Sequence, residues 1–179
     1  MPIEVQALDF SDPGHREALA QLLVAFSSDE AIAGKGMSDD TAHAAVAGLA
    51  DRHPRAWVAL AWDRDAVGSP GDDAASPGHT GGAAGMVITI ESYSTFQAAP
   101  VLNLHDVAVS SKYRRRGIGR MLIQAARDEA ERRGCCKMTL EAFRENAAAI
   151  ALYRDVGFRS PGEGTATGET LFFALPIPS

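Results

Sequence analysis

The chain has 179 residues, enough for one domain with a sizeable core, and its 46% hydrophobic and 22% charged residues are ordinary for a globular protein. A net charge of −6 argues against a surface built throughout for nucleic acid or an anionic membrane. No apolar run approaches the roughly 18–20 residues of a membrane span, "MPIEVQALDF" lacks the basic start of a secretory signal, and two adjacent cysteines, Cys135 and Cys136, make no disulfide framework, so the expected location is cytoplasmic.

In chain order, "IEVQAL" (Ile3–Leu8) predicts a first strand. Asp12 and Pro13 supply a cap and a first-turn proline for a helix to about Ser27, with Leu19, Leu22, Leu23 and Phe26 on its buried stripe. Ser38 caps a second helix, Asp39 to Arg52. "RAWVALAW" (Arg55–Trp62) and "AGMVITIES" (Ala84–Ser92) predict strands, with Trp57 and Trp62 as core aromatics; residues 63–84 between them are rich in Gly, Pro, Ser and Asp and predict a flexible hairpin loop within one domain spanning 1–179. "VLNLHDVAV" (Val101–Val109) is nearly continuous in apolar residues, as a strand covered on both faces would be. "CKMTLEA" (Cys136–Ala142) alternates, Asn146 to Val156 carries a helical stripe, and "TLFFALPI" closes the chain as a strand. The order is that of a mixed α/β domain without internal repeats.

Between the strand ending at Val109 and the helix stripe of Ile118, Met121, Leu122, Ala125 and Ala126 lies "KYRRRGIGR", with five cations and no acid between Lys112 and Arg120. The first N–H groups of a helix have no partner within it and the helix dipole is positive there; Gly117 and Gly119 allow close backbone approach. These features predict an anion site suited to a pyrophosphate. The third glycine of a dinucleotide fingerprint and the Lys-Ser/Thr of a Walker loop are both missing. A solvated basic helix start is the plainer alternative. Arg127, Arg132 and Arg133 read as a solvated helix end with Gly134 as its cap, needing no further function.

Arg114, Gly117 and Gly119 resemble the R/Q-x-x-G-x-G/A signature of the GNAT N-acetyltransferase superfamily, and Asn146, Ala149, Tyr153, Gly157 and Phe158 resemble its N-x-x-A-x-x-x-Y-x-x-x-G-F segment. The resemblance implies a mixed, mostly antiparallel twisted sheet of about six to seven strands flanked by about four helices, its central strands splayed apart. It implies acetyl-CoA as co-substrate: Val107, Ala108 and Val109 pair with the pantetheine arm as an added strand would, Arg114, Arg115, Arg116, Gly117, Ile118, Gly119 and Arg120 hold the pyrophosphate, and Asn146 and Tyr153 adjoin the coenzyme. It also places at Tyr153 the phenol that protonates the departing thiolate; the alternative is a tyrosine packed in the core.

Direct acetyl transfer to a primary amine needs a base, because an alkyl ammonium has a pKa near ~10.4. His105 alternates to the face of Val107 and occupies the place of a glutamate in the similar "LxLED" strand of spermidine/spermine-type acetyltransferases, a departure that weakens a polyamine assignment; a structural histidine is the alternative. Glu91 is the next candidate base, and Asp106, on the opposite face, reads as structural. A backbone N–H near Val107 would stabilise the oxyanion. Cys135 and Cys136 are expected to be inert, and no residues have metal-ligand spacing. The expected partner is a small-molecule or peptide amine, in a monomer or homodimer, with neither nucleic acid nor membrane. A non-catalytic acyl-CoA sensor is the competing class. Asp29, Glu30, Asp39 and Asp40 would favour a cationic acceptor or merely solubility, and Tyr93 and Phe96 would wall its pocket or merely pack.

Overall fold

The computed structural model describes residues 2–28, 36–66, 82–160 and 170–178. Its elements are β1 (Ile3–Ala7), α1 (Pro13–Ser27), α2 (Asp39–Ala50), β2 (Ala56–Asp63), β3 (Gly82–Ser94), β4 (Ala99–Val109), α3 (Ile118–Arg132), β5 (Lys137–Phe143), α4 (Ala147–Asp155) and β6 (Thr170–Pro176). Six strands and four helices agree with the expected α/β class. Most of the expected hairpin loop, residues 67–81, lies outside the described residues, as do Asp29 and Glu30.

The expected caps form. The Asp12 carboxylate accepts from the backbone N–H groups of Gly14 (2.7 Å) and His15 (3.3 Å), and the Ser38 hydroxyl accepts from Thr41 N–H (3.2 Å). α2 ends at Ala50, two residues before the expected Arg52, while β3 and β4 run beyond the apolar stretches into a tight hairpin around Thr95–Ala98.

The strands lie in the sheet in their chain order, and every neighbouring pair is antiparallel except β4 with β5. That parallel pairing joins Val101–Leu104 to Lys137–Leu140 and stops. His105–Val109 therefore runs on without β5, and the sheet parts between its two middle strands.

Alternation along the strands divides the core. On one face Val58, Leu60, Met86 and Ile88 meet Leu19, Leu22 and Leu23 of α1 and Val46 of α2. On the other, Ala59, Val87, Leu102 and Leu104 meet Leu122 and Ile123 of α3, Tyr153 of α4, and Phe158 and Phe173. Each large apolar side chain withdrawn from water contributes roughly 1.5–3 kcal/mol. β4 breaks the alternation once. Leu104 pairs with Thr89 and Asp106 with Ile88, so His105 is an extra residue with no partner on β3.

The C-terminal end of α3 corrects the expectation for Arg133. Its side chain is 9% exposed and donates to Glu129 (2.6 Å), to Glu91 (2.8 Å) and to the Pro54 carbonyl (2.8 Å). It is a buried tie between helix and sheet.

Candidate active site

The site begins where β4 ends. One turn of 3-10 helix, Ser111–Tyr113, leads into the basic stretch, and the Arg114 Nε donates back to the Val109 carbonyl (3.3 Å). Two residues then take the left-handed conformation, Arg115 (φ 64°) and Gly117 (φ 79°). Arg115 pays the cost that a side chain brings to that region, about 1 kcal/mol or more. Gly117 caps α3 without a side chain, the first turn holds no acidic residue, and the helical ladder opens with Met121 N–H donating to the Gly117 carbonyl (3.2 Å). The N–H groups of Ile118, Gly119 and Arg120 precede that bond and have no carbonyl within the helix to receive them. Left-handed turns and open amides at a helix N-terminus form a concavity for an anion.

A cleft of about 840 Å³ extends from this turn. Its walls include Val107–Val109 from the unpaired end of β4, Arg114, Arg115 and Gly117–Arg120 from the turn, and Asn146, Ala149 and Leu152 from α4. The structure thus brings most of the sequence-predicted coenzyme residues to one cavity. Arg116 and Tyr153 stand outside its walls. The Arg116 guanidinium is 5.5 Å from the centre of the Tyr113 ring, and Tyr153 follows directly on Leu152. Arg120 pairs with Asp155, bracing α3 against α4. Asn146 caps α4, its Oδ1 accepting from Ala149 N–H (3.1 Å). A Cβ at position 119 would lie 2.9 Å from Leu152 Cδ2, so glycine there serves the approach of α4 to α3.

Leu22, Ala25 and Phe26 of α1 form the opposite wall. Sequence reasoning assigned Leu22 and Phe26 to the core stripe alone. Lining and core residues share the same helical spacing, so only the third dimension separates them.

Tyr153 and Asp106 adjoin the end of the cleft where β4 and β5 part. Tyr153 is 8% exposed, with its ring 6.1 Å from Phe158 and 6.3 Å from Phe173, so it is indeed packed in the core. Its hydroxyl makes no hydrogen bond to any other described residue. Burial, and then the negative charge of Asp106, push its pKa up to about 12. Burial raises the Asp106 carboxyl above the usual range, with His105 pulling it the other way.

The bulge revises the reading of His105 and leaves Asp106 on the face opposite Val107, as expected. Unbroken alternation put His105 on the face of Val107 and made Asp106 a structural residue. In the structure His105 is exposed and unpaired at the bulge, and Asp106, half-buried, shares the α1–α2 face with its partner Ile88.

Glu91 is not in this site. It pairs in register with Leu102, whereas Val107 pairs with Val87, a separation of roughly 13 Å along β3 at the usual strand rise. Its carboxylate is taken by Arg133 at the far end of α3. Cys135 is buried and its thiol is pushed up by that burial, as expected of an inert cysteine. Asp39 and Asp40 are exposed on the first turn of α2, while Tyr93 (63% exposed) and Phe96 (101%) stand out at the β3–β4 hairpin and line none of the cleft. Among the described residues no three His, Cys, Asp or Glu side chains gather as metal ligands, and no helix is long and apolar enough to cross a membrane.

Residues 15–158 match the family described as the acetyltransferase (GNAT) family. The ribosomal protein bS18-alanine N-acetyltransferase of Salmonella typhimurium is 43% identical over 81 residues, which are 41% of this chain and 55% of that protein, so the chain spans about half the length of this relative. The streptothricin acetyltransferase of Streptomyces lavendulae is 36% identical over 124 residues, 62% of this chain and 64% of that one. In fold, the chain resembles one from the crystal structure of the NatC complex bound to Gag peptide and CoA, with a TM-score of 0.69 at 19% identity over 99% of this chain and 100% of that one.

Proposed function

The chain belongs to the GNAT acetyltransferase family, and from that membership we propose that it transfers the acetyl group of acetyl-CoA directly to a primary amine, both substrates bound at once. The observation that carries this reading is the meeting, in one cleft, of the anion-binding turn and the free end of β4, with Tyr153 next in sequence to Leu152 of its wall. The open amides of Ile118, Gly119 and Arg120 suit the pyrophosphate, and the unpaired edge of Val107–Val109 offers backbone partners to the pantetheine amides. This supports a thioester lying near His105 and Asp106.

The proton balance follows from the groups at that end. An alkyl ammonium must lose a proton before its nitrogen can attack the carbonyl. Asp106 and His105 are the acceptors at hand. The new C–N bond forms, the nitrogen sheds its second proton to solvent, and the C–S bond breaks with the electron pair leaving on the sulfur. Tyr153, loaded with its proton throughout the neutral range, donates it to the thiolate and regains one from solvent. A proton received at Asp106 also removes one of the charges that raise Tyr153, so the two transfers reinforce each other.

The test is CoA release from acetyl-CoA with an acceptor panel: an alanine-starting peptide, streptothricin, polyamines, amino acids and aminoglycosides. Two relatives named for a protein alanine and for streptothricin motivate the first two. We expect Tyr153→Phe to lower kcat by ~10²-fold or more while the KM for acetyl-CoA stays within about twofold. Normal turnover in that variant removes the role. Asp106→Asn is expected to lower kcat more than His105→Ala, because the bulge leaves His105 exposed. The reverse order, with a pH–rate profile that flattens between about pH 5.5 and 8 in His105→Ala, returns the base to the histidine. Acetyl-CoA binding with no acceptor turned over would favour a sensor or a macromolecular acceptor.

A further inference from the structure

Alternation leaves half of one sheet face without a helix. Leu140 and Ala142 of β5 and Leu171 and Phe173 of β6 turn to α3 and α4, so Glu141, Phe143 and Phe172 turn to the side of α1 and α2. The core on that side takes its strand residues from β2, β3 and β4, and among the described residues none from β5 or β6. Phe143 is 42% and Phe172 48% exposed, and Glu141 beside them is exposed. We propose that Phe143 and Phe172 form an apolar subsite for the acceptor, which is a peptide N-terminus with a large apolar second residue. This subsite rests on the acetyl-transfer reading above and names the class of amine it takes.

Single exposed aromatic residues are ordinary on a protein surface; this pair is distinguished by its register. β4 and β5 are paired as far as Leu104 and Leu140, so Glu141 is the first residue of β5 past the parting. Phe172 is its partner on β6, and Phe143 follows two residues on. Asp106, the second residue of β4 past the parting, is on the same face through its partner Ile88. The two rings therefore border the opening through which an amine reaches a thioester held near Asp106.

Charge and reach select the occupant. Glu141 and Asp106 offer negative charge to an ammonium, while Lys137, the cation of β5 on this face, is four residues from Glu141, roughly 13 Å. Directly opposed residues of neighbouring strands lie about 5 Å apart and diagonal ones about 7–8 Å. An extended peptide advances at most ~3.6 Å per residue, so a chain with its amine beside Glu141 brings its second side chain to the rings. Covering the rings with an apolar side chain removes hydrocarbon from water, and a serine or the second ammonium of a polyamine covers far less.

The experiment is steady-state acetylation by the full chain of three peptides that start Ala-Phe, Ala-Leu and Ala-Ser and are otherwise alike, with spermidine and streptothricin beside them. The Phe and Leu peptides are expected to show a kcat/KM about tenfold above that of the Ser peptide. The double variant Phe143→Ala with Phe172→Ala should bring the three peptides within about twofold of one another, while its Kd for acetyl-CoA stays at the wild-type value. Phe143→Leu with Phe172→Leu, which keeps apolar surface, should retain part of the preference. If a variant fails to fold, the wild-type series still decides. Peptides acetylated with equal kcat/KM, a preference that survives in the alanine double variant, or spermidine or streptothricin taken above every peptide each overturns the subsite and leaves acetyl transfer standing. A wild-type chain that releases CoA with none of these acceptors overturns the transfer reading, and the subsite with it.

Discussion

At its C-terminal end α3 presents Arg127, Arg132 and Arg133, and each meets a glutamate: Glu131, Glu129, and for Arg133 both Glu129 and Glu91. At its N-terminal end stand Arg114, Arg115, Arg116 and Arg120, of which Arg120 pairs with Asp155 and Arg114 donates to the Val109 carbonyl. The composition of the two ends is alike, and each is followed or preceded by a left-handed glycine, Gly134 or Gly117. What separates them is where the charge is answered. One end satisfies its arginines within the protein and gains a tie between helix and sheet. The other opens on the first amides of α3 with no acidic residue in that turn, an electropositive concavity suited to an anion.

Removing one arginine from each end is the strongest way to break this contrast. Arg133→Ala leaves Glu91 without its arginine and Glu129 with Arg132 alone, and should cost about 2 kcal/mol of stability. Its effect on the KM for acetyl-CoA should be small. Arg115→Ala, at an exposed position, should leave the thermal midpoint nearly unchanged, within about 0.5 kcal/mol, and weaken acetyl-CoA binding several-fold. Thermal denaturation and coenzyme titration on both variants check this. A stability loss at 115 equal to that at 133 would mean that the turn is built for the fold and not for a ligand.

Acid sharpens the same contrast. The hydrogen bond from Arg132 lowers Glu129 below its ordinary value, and Arg133 adds to the effect. A carboxyl with a lower pKa in the folded than in the unfolded chain contributes stability that is present above the unfolded value of 4.5 and lost as pH falls through the folded one. Urea midpoints of the wild-type chain should therefore drop on acidification below about pH 4.5 by more than those of Glu129→Gln. Parallel curves would show that Glu129 gains nothing from its arginines.

The legible parts of the molecule were those written in local signals. Asp12 and Ser38 announce helix starts because a cap acts within three residues, and the glycine–arginine turn is readable because its strand and helix adjoin it in the chain. Three features depend on partners distant in sequence. Arg133 looked like a solvated helix end because Glu91 lies 42 residues away, and only folding brings the two together. The same pairing took Glu91 away from the site. His105 was assigned its face by unbroken alternation, and a bulge adds a residue to one strand without any mark in composition. Leu22 and Phe26 could not be told from core, since the cleft wall and the core are lined by the same stripe.

Two glycine substitutions give the smallest effect and the closest control. Gly117 and Gly134 both have left-handed backbones, φ 79° and 66°, and a Cβ built on either meets no atom within 4 Å. Alanine at either position is therefore strained by its backbone and not by a clash, and each variant should lose about 1 kcal/mol of stability. Their coenzyme affinities should part. Gly134→Ala should bind acetyl-CoA as the wild-type chain does, since that residue closes the end of α3 whose charges are internally paired. Gly117→Ala should bind it several-fold more weakly, because any relaxation of φ toward negative values turns the α3 amides away from the concavity. Equal affinities at equal stability cost would show that the left-handed turn at 117 ends a strand and starts a helix, and that the coenzyme makes no use of it.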